Sequence, residues 1–418
     1  VTTQAATTQA VTTQAVTTQE LDLMDPKTFG NGIPHDHFRR LRRSDRLIRG
    51  TDTDGESLWH LVRHRDVAAV SRDARTFSSS PTTMTSIRKV DPSPPIITFL
   101  DSPEHTRIRK LTFKAFAPAR LAALQAPIRR IVDTLLAQAR DKGTFDLAED
   151  IALRLPFEVL LELLDIPHED RDSMLGWARQ TVNLGDEEYD GDGTAGQDSF
   201  QKIYEYLLDF ARHRAEHPTD DCFSLLLDAR LNGAGRLGLP DRLTADEVGL
   251  FASTLITAGS ETTYCSVTGG VLALLDFPDQ LDRLRADRSL LPSATNEVLR
   301  WVTPVTHFAR RAVTDTEVAG QPIAEGERVV MWYSSANRDE EVFTDPDRFD
   351  VARTPNPHLS FGGGGPHVCI GNGLAVMELR QFLEGAVDLL PQLEITAPPV
   401  RPETNFMNSV KHLHMRFR

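Results

Sequence analysis

Between Thr244 and Pro278 one helical pattern runs for about 30 residues, opened by the capping box Thr244, Ala245, Asp246, Glu247 and closed by Asp276, Phe277, Pro278. A helix of that length crosses a whole domain, so the rest of the chain must pack around it. Its centre, AGSETT at 258–263, is weak: Gly259 costs about 1 kcal/mol relative to alanine, and serine and threonine side chains compete for backbone carbonyls. A kink in a core helix is the plain explanation of a Gly-Ser pair. An acid beside an alcohol points further, because the carboxylate of Glu261 and the hydroxyl of Thr262 can relay protons to a reacting oxygen.

The chain has 418 residues, 40% of them apolar, enough to bury a large core as one domain or two packed lobes. Sixty acidic against 46 basic residues leave a net charge of −14, which repels nucleic acid and anionic lipid overall. The three cysteines, Cys222, Cys265 and Cys369, are too far apart for a CxxC-type zinc site and odd in number for a disulfide framework, which suggests a reducing cytoplasm. No run of 18 apolar residues and no basic-then-apolar leader occurs, so a soluble, cytoplasmic protein with neither membrane span nor signal peptide is expected. Residues 1–19 repeat a degenerate VTTQA pentamer without charge or aromatic; they read as a flexible leader with an uncertain biological start, ahead of a single domain over 20–418.

Helical patterns dominate 102–301, as in LAALQAPIRRIVDTLLAQAR and FQKIYEYLLDFARHRAEH, while ESLWHLVRH after a turn at 51–55 reads as a hairpin strand. Residues 81–100 hold four prolines without a clear period and read as a long loop of the kind that covers substrate sites. Short β-type runs such as ERVVMWY occupy 304–346, and a further helix follows Cys369. The expected fold class is mainly α with a small β-rich region.

The stretch FGGGGPHVCIG, 361–371, puts Cys369 at the N-terminal end of that last helix, where backbone N–H groups and the helix dipole favour a thiolate. Consecutive glycines let the backbone approach a flat, bulky partner and aim N–H groups at the sulfur. A glycine-rich turn with an incidental buried cysteine is the alternative.

Phe361, Gly363, Gly365, His367, Cys369 and Gly371 together resemble the heme-binding loop of the cytochrome P450 family, with one extra position between Phe361 and the cysteine. The resemblance extends over 22–418 and implies the P450 fold, heme b (iron protoporphyrin IX) as cofactor and Cys369 as the iron ligand. Ala258, Gly259, Glu261, Thr262 and Thr263 are similar to the family's oxygen-activation motif, which implies Glu261 and Thr262 as the catalytic pair and room for ligand at Ala258 and Gly259. Glu297 and Arg300 match its E-x-x-R pair, with Arg348 in DPDRFD as the implied third, structural member.

By the same resemblance His105, Arg109, Arg311 and His367 hold the heme propionates, and the substrate pocket draws on Met84 to Phe99, Leu255, Ala258, Val305, His307, Phe308 and Phe406. His307 either bonds a substrate polar group or is a tucked structural histidine. The basic segment HTRIRKLTFK, including Arg107 and Lys110, is expected to dock an acidic ferredoxin supplied by its reductase. The implied activity is monooxygenation by O2 of a hydrophobic substrate, a steroid, terpenoid or methyl-branched lipid, as in actinobacterial members. A peroxide-driven peroxygenase, or a heme sensor or carrier without turnover, are the alternatives.

Overall fold

The computed structural model describes residues 21–44, 47–52, 55–85, 96–182, 188, 195–232 and 238–418. The leader 1–19 and half of the expected substrate loop, 86–95, lie outside the described residues. Helices dominate, and the longest is the one the sequence predicts: Ala245–Asp276, with the reciprocal capping box formed between Thr244 and Glu247. It stays helical through Gly259. Hydrophobic residues surround it on most sides, including Val248, Ile256, Val267 and Val271, as befits a helix buried along its length.

The helices Pro118–Lys142, Arg154–Leu163, Ala195–Glu216, Leu291–Val302 and Asn372–Ala386 all pack on or around it, forming one large core. Helix Ala245–Asp276 approaches Leu291–Val302 closely at Gly269 and Gly270: a Cβ there would stand 2.7 Å and 2.8 Å from the methyls of Val302 and Val298.

The β region comprises β1 (Ile48–Thr51), β2 (Ser57–Leu61), β3 (Phe77–Ser78), β4 (Thr144–Asp146), β5 (His307–Ala312), β6 (Thr316–Val318), β7 (Gln321–Ile323), β8 (Arg328–Trp332), β9 (Leu393–Ile395) and β10 (His414–Phe417). The main sheet runs β1-β2-β8-β5-β3, with the expected β1–β2 hairpin pairing Arg49 with Trp59 and a parallel contact of β2 with β8 pairing His60 with Val330. Both faces of β8 are covered, so all five of its residues are buried, and Trp332 sits between Phe29 and Phe38. A separate three-stranded sheet, β4-β10-β9, anchors the C-terminal strand. Among the described residues no helix is long and apolar enough to cross a membrane.

Candidate active site

The loop 361–371 is clamped onto helix His64–Arg72. Arg72 Nε donates to the Gly363 carbonyl (3.0 Å), Ser71 Oγ donates to the Gly364 carbonyl (3.1 Å), and the Gly363 N–H donates to Ser71 Oγ (3.1 Å). Here the glycines are required: Gly365 has φ +82°, and a Cβ on Gly363 would lie 2.9 Å from the Ala68 Cα. Gly363 and Gly365, expected from the sequence to bind the cofactor, serve contact with this helix and do not line the cavity. The Cys369 N–H donates to the Phe361 carbonyl at 3.0 Å, so the extra glycine is absorbed in the bulge and Phe361 still reaches the cavity.

That cavity, of about 260 Å³, lies between the loop and the long helix. The Cys369 thiol opens onto it, and its accessible surface is cavity surface. Burial pushes the thiol pKa up, while the Gly371 N–H and the Arg109 guanidinium pull it down. The helix-end effect expected from the sequence is thus present but outweighed in the protein alone, because desolvation penalises a thiolate more than one hydrogen bond and one neighbouring charge favour it.

One side of the cavity collects cations. Arg109 and Arg310 are half-buried and buried, and among the described residues their guanidinium groups donate hydrogen bonds only to main-chain carbonyls, of Val368 (2.6 Å) and Ala309 (2.8 Å). The His105 and His367 rings lie 4.0 Å apart; burial first, then the neighbouring positive groups, push their pKa values down to about 4 and about 3. His367 Nε2 contacts Ser79 Oγ at 3.1 Å, whereas His105 Nδ1 is buried without a partner among the described residues. Two guanidinium groups and an orphaned imidazole around one cavity call for an anion. A flat cofactor bearing two carboxylates and needing a thiolate ligand, heme b, fits this donor set.

Arg310 replaces Arg311 here. Successive residues of β5 face opposite sides, so Arg310 turns to the cavity while Arg311 donates outward to the Gly326 carbonyl (2.8 Å). The third member of the Glu297–Arg300 network likewise changes. Arg353 Nε donates to both Glu297 oxygens (3.1 and 3.2 Å), whereas Arg348 is exposed and contributes only its main-chain carbonyl. Arg107, expected on a docking face, is buried: it donates to the Arg242 carbonyl (3.0 Å) and pairs with Glu247.

On the long helix Ala258, Gly259, Thr262, Thr263 and Ser266 edge the cavity. Thr262 Oγ1 donates to the Ala258 carbonyl at 2.9 Å. Glu261, one residue earlier, is off the wall; no cation pairs with it among the described residues, and burial raises its carboxyl to about 8. Of the pocket candidates, Leu255, Val305 and Phe308 line the cavity. His307 does not: it is buried with Nε2 at Thr85 Oγ1 (2.9 Å) and Nδ1 at Thr306 Oγ1 (2.9 Å), the tucked structural histidine of the two readings. Phe406 stands behind Phe308 (ring centroids 5.5 Å), Met84 binds Arg328 through its carbonyl, and Ile97 and Thr98 line the wall in place of Phe99.

Glu378 escaped the sequence reading. It lies on the helix Asn372–Ala386, lines the cavity, and is buried with no partner for Oε2 among the described residues, so burial holds its carboxyl well above the usual range. An acid one turn after Leu374 on an apolar stripe is the signal that was available.

The cytochrome P450 family model matches residues 193–412. The chain is 34% identical over 407 residues to a steroid C26-monooxygenase of Mycolicibacterium smegmatis (94% of this chain, 92% of the relative) and 34% identical over 410 residues to a linalool 8-monooxygenase of Pseudomonas putida (94% and 98%). Its fold superposes on a Mycobacterium marinum cytochrome P450 in complex with pseudoionone with a TM-score of 0.84, at 30% identity, covering 94% of this chain and 97% of that one. A clamped cysteine loop, an anion-seeking wall, a long helix edged by Thr262 and likeness over nearly the whole length converge: the chain belongs to the cytochrome P450 family of heme b monooxygenases.

Proposed function

We propose that this cytochrome P450 inserts one oxygen atom of O2 into a C–H bond of an apolar lipid of steroid, terpenoid or methyl-branched type, with electrons delivered by a ferredoxin and its reductase. The observation that carries the reading is the oily part of the cavity lining, made by Ile97, Phe251, Leu255, Val305 and Phe308. Such a lining stabilises a bound lipid by about 25 cal/mol per Å² of apolar surface buried and offers little to a polar molecule. The names of the two relatives, one acting on a steroid and one on linalool, support the same class.

In this reading Cys369 Sγ holds the iron, and His105, Arg109, Arg310 and His367 hold the two carboxylates. Heme b, when bound, supplies the oxygen chemistry; binding, orientation and proton movement fall to the chain. Leu255, Val305 and Phe308 position the substrate and exclude water. Thr262 Oγ1, held by the Ala258 carbonyl, presents a hydroxyl at the cavity edge, and Glu261 keeps a proton at neutral pH one residue away. Gly259 lets the long helix lie against Leu160, since a Cβ there would stand 3.0 Å from Leu160 Cδ1.

For the redox partner, the basic segment presents only Lys110 and Lys114 to solvent, flanking Phe113, which is 53% exposed. An acidic ferredoxin would meet those two lysines, and K110E/K114E should slow its reduction of the protein severalfold at low salt; an unchanged rate would refute this docking.

The test of function is titration of the ferric protein with cholest-4-en-3-one, a methyl-branched fatty acid and linalool, followed by product analysis with a ferredoxin and reductase. A low-to-high-spin shift and a hydroxylated product with one of these lipids is expected. No shift and no product with any of them, in protein whose reduced CO complex shows the red-shifted thiolate band, would overturn the substrate class.

A further inference from the structure

Asp146, His412 and His414 form a second cluster, in the sheet β4-β10-β9 and apart from the Cys369 cavity. His414 opens β10 and His412 lies two residues before it, in an isolated bridge to Val400; their rings stack nearly parallel with centroids 5.5 Å apart. Asp146 lies directly opposite His414 in the antiparallel register. Its Oδ2 stands 2.6 Å from His412 Nδ1 and 3.7 Å from His414 Nδ1. One carboxylate oxygen and two imidazole nitrogens thus converge within 4.8 Å of one another.

We propose that these three side chains bind a divalent transition metal of the zinc class. One carboxylate oxygen and two imidazole nitrogens are a donor set of that type. In a tetrahedral site with bonds of about 2.0–2.1 Å the ligand atoms stand about 3.3 Å apart, which lies between the two Oδ2–Nδ1 distances here.

The carboxylate is already aimed. Asp146 Oδ1 accepts the N–H groups of Ala148 (3.0 Å) and Leu413 (2.9 Å), so Oδ2 is the oxygen turned to the imidazoles. His412 is oriented from its far side, because Nε2 faces Glu188 Oε1 at 2.9 Å. A proton on Nε2 for that carboxylate leaves the Nδ1 lone pair directed at Asp146, and a cation is needed between the two: a second proton or a metal ion. A carboxylate behind a ligating histidine is the arrangement that fixes its tautomer and raises its basicity. His414 distinguishes the two occupants. A protonated His412 between two acids has no use for a second imidazole on the same oxygen, whereas a metal takes it as third ligand, and the half-exposed His414 leaves the fourth position to water.

The experiment is isothermal titration of the untagged, heme-loaded, full-length protein with zinc sulfate after chelator treatment. We expect one site with a Kd on the order of 1 µM, weakened at least about tenfold in both His412→Ala and His414→Ala. The reduced, CO-bound spectrum serves as the control that both variants remain folded and loaded. Binding no tighter than about 100 µM, or parental affinity in either variant, would overturn the proposal.

Discussion

Replacing Arg353 by alanine tests the reading of the buried network below the Cys369 loop. Glu297 and Arg300 are both fully buried, with Arg300 donating to the two carboxylate oxygens at 2.7 and 2.8 Å. Glu297 also accepts from the Asp350 N–H (2.9 Å), Asn356 Nδ2 (3.1 Å) and Arg353. Arg353 additionally donates to the carbonyls of Thr344 (2.7 Å), Asp345 (3.1 Å) and Arg348 (2.9 Å), tying the segment 344–353 into one knot. Breaking a buried pair by removing one partner costs 3–5 kcal/mol; since Arg300 remains, R353A should cost about 3 kcal/mol, on the order of a hundredfold in the folded ratio. Arg348 is exposed and acts through a main-chain carbonyl that any residue supplies, so R348A should stay within about 0.5 kcal/mol. Urea unfolding followed by both far-UV circular dichroism and heme absorbance measures the two variants side by side. Equal costs, or a larger cost for R348A, would refute the assignment. Arg353→Lys, which keeps the charge but loses the planar fork, should fall between.

The propionate assignment predicts that R310A sheds heme to an apoprotein acceptor about 10- to 100-fold faster, from 1.5–3 kcal/mol of lost charged hydrogen bonding, while R311A does not. Thr262→Ala should lower product formed per NADH consumed while leaving lipid affinity within about twofold; unchanged coupling would remove Thr262 from the proton path. Glu261 has a pKa raised to about 8 by burial, so its neutral form stabilises the fold below the usual carboxylate range and that contribution is lost as pH rises through about 8. The melting temperature of E261Q should therefore gain on the parent as pH goes from 5 to 8, and a constant gap would contradict a desolvated Glu261. Burial depresses His60 to about 4 and His307 to about 3, so their contribution is present above pH 6.5 and lost as pH falls toward those values. His307→Gln should flatten acid unfolding in that window, and should weaken all lipids alike if it weakens any.

Local pattern carried the reading wherever the chemistry is contiguous in sequence. The capping box of Thr244 and Glu247, the 245–276 helix, the β1–β2 hairpin, the thiol at a helix start and the Glu261–Thr262 pair are all set by neighbours a few residues away, and each is legible as residue type at a given spacing. The cationic side chains around the cavity come from separate segments, His105 and Arg109 on one helix, Arg310 on β5 and His367 in the cysteine loop, and there adjacency misleads. Arg310 and Arg311 are indistinguishable as text, and only the pleat of β5 against β8 turns the first inward. Arg353 displaces Arg348 because the turn at 345–350 folds back on Glu297, which no local propensity announces. Arg107 is buried because its helix meets the N-terminus of the long one, where Glu247 awaits it. Whether a charge is solvated or desolvated depends on what packs over it. The sequence by itself thus determined the family, the iron ligand expected at Cys369 and the long central helix, while tertiary packing decided which of several identical charged residues line the cavity, hold the loop, or gather with Asp146 at the far sheet.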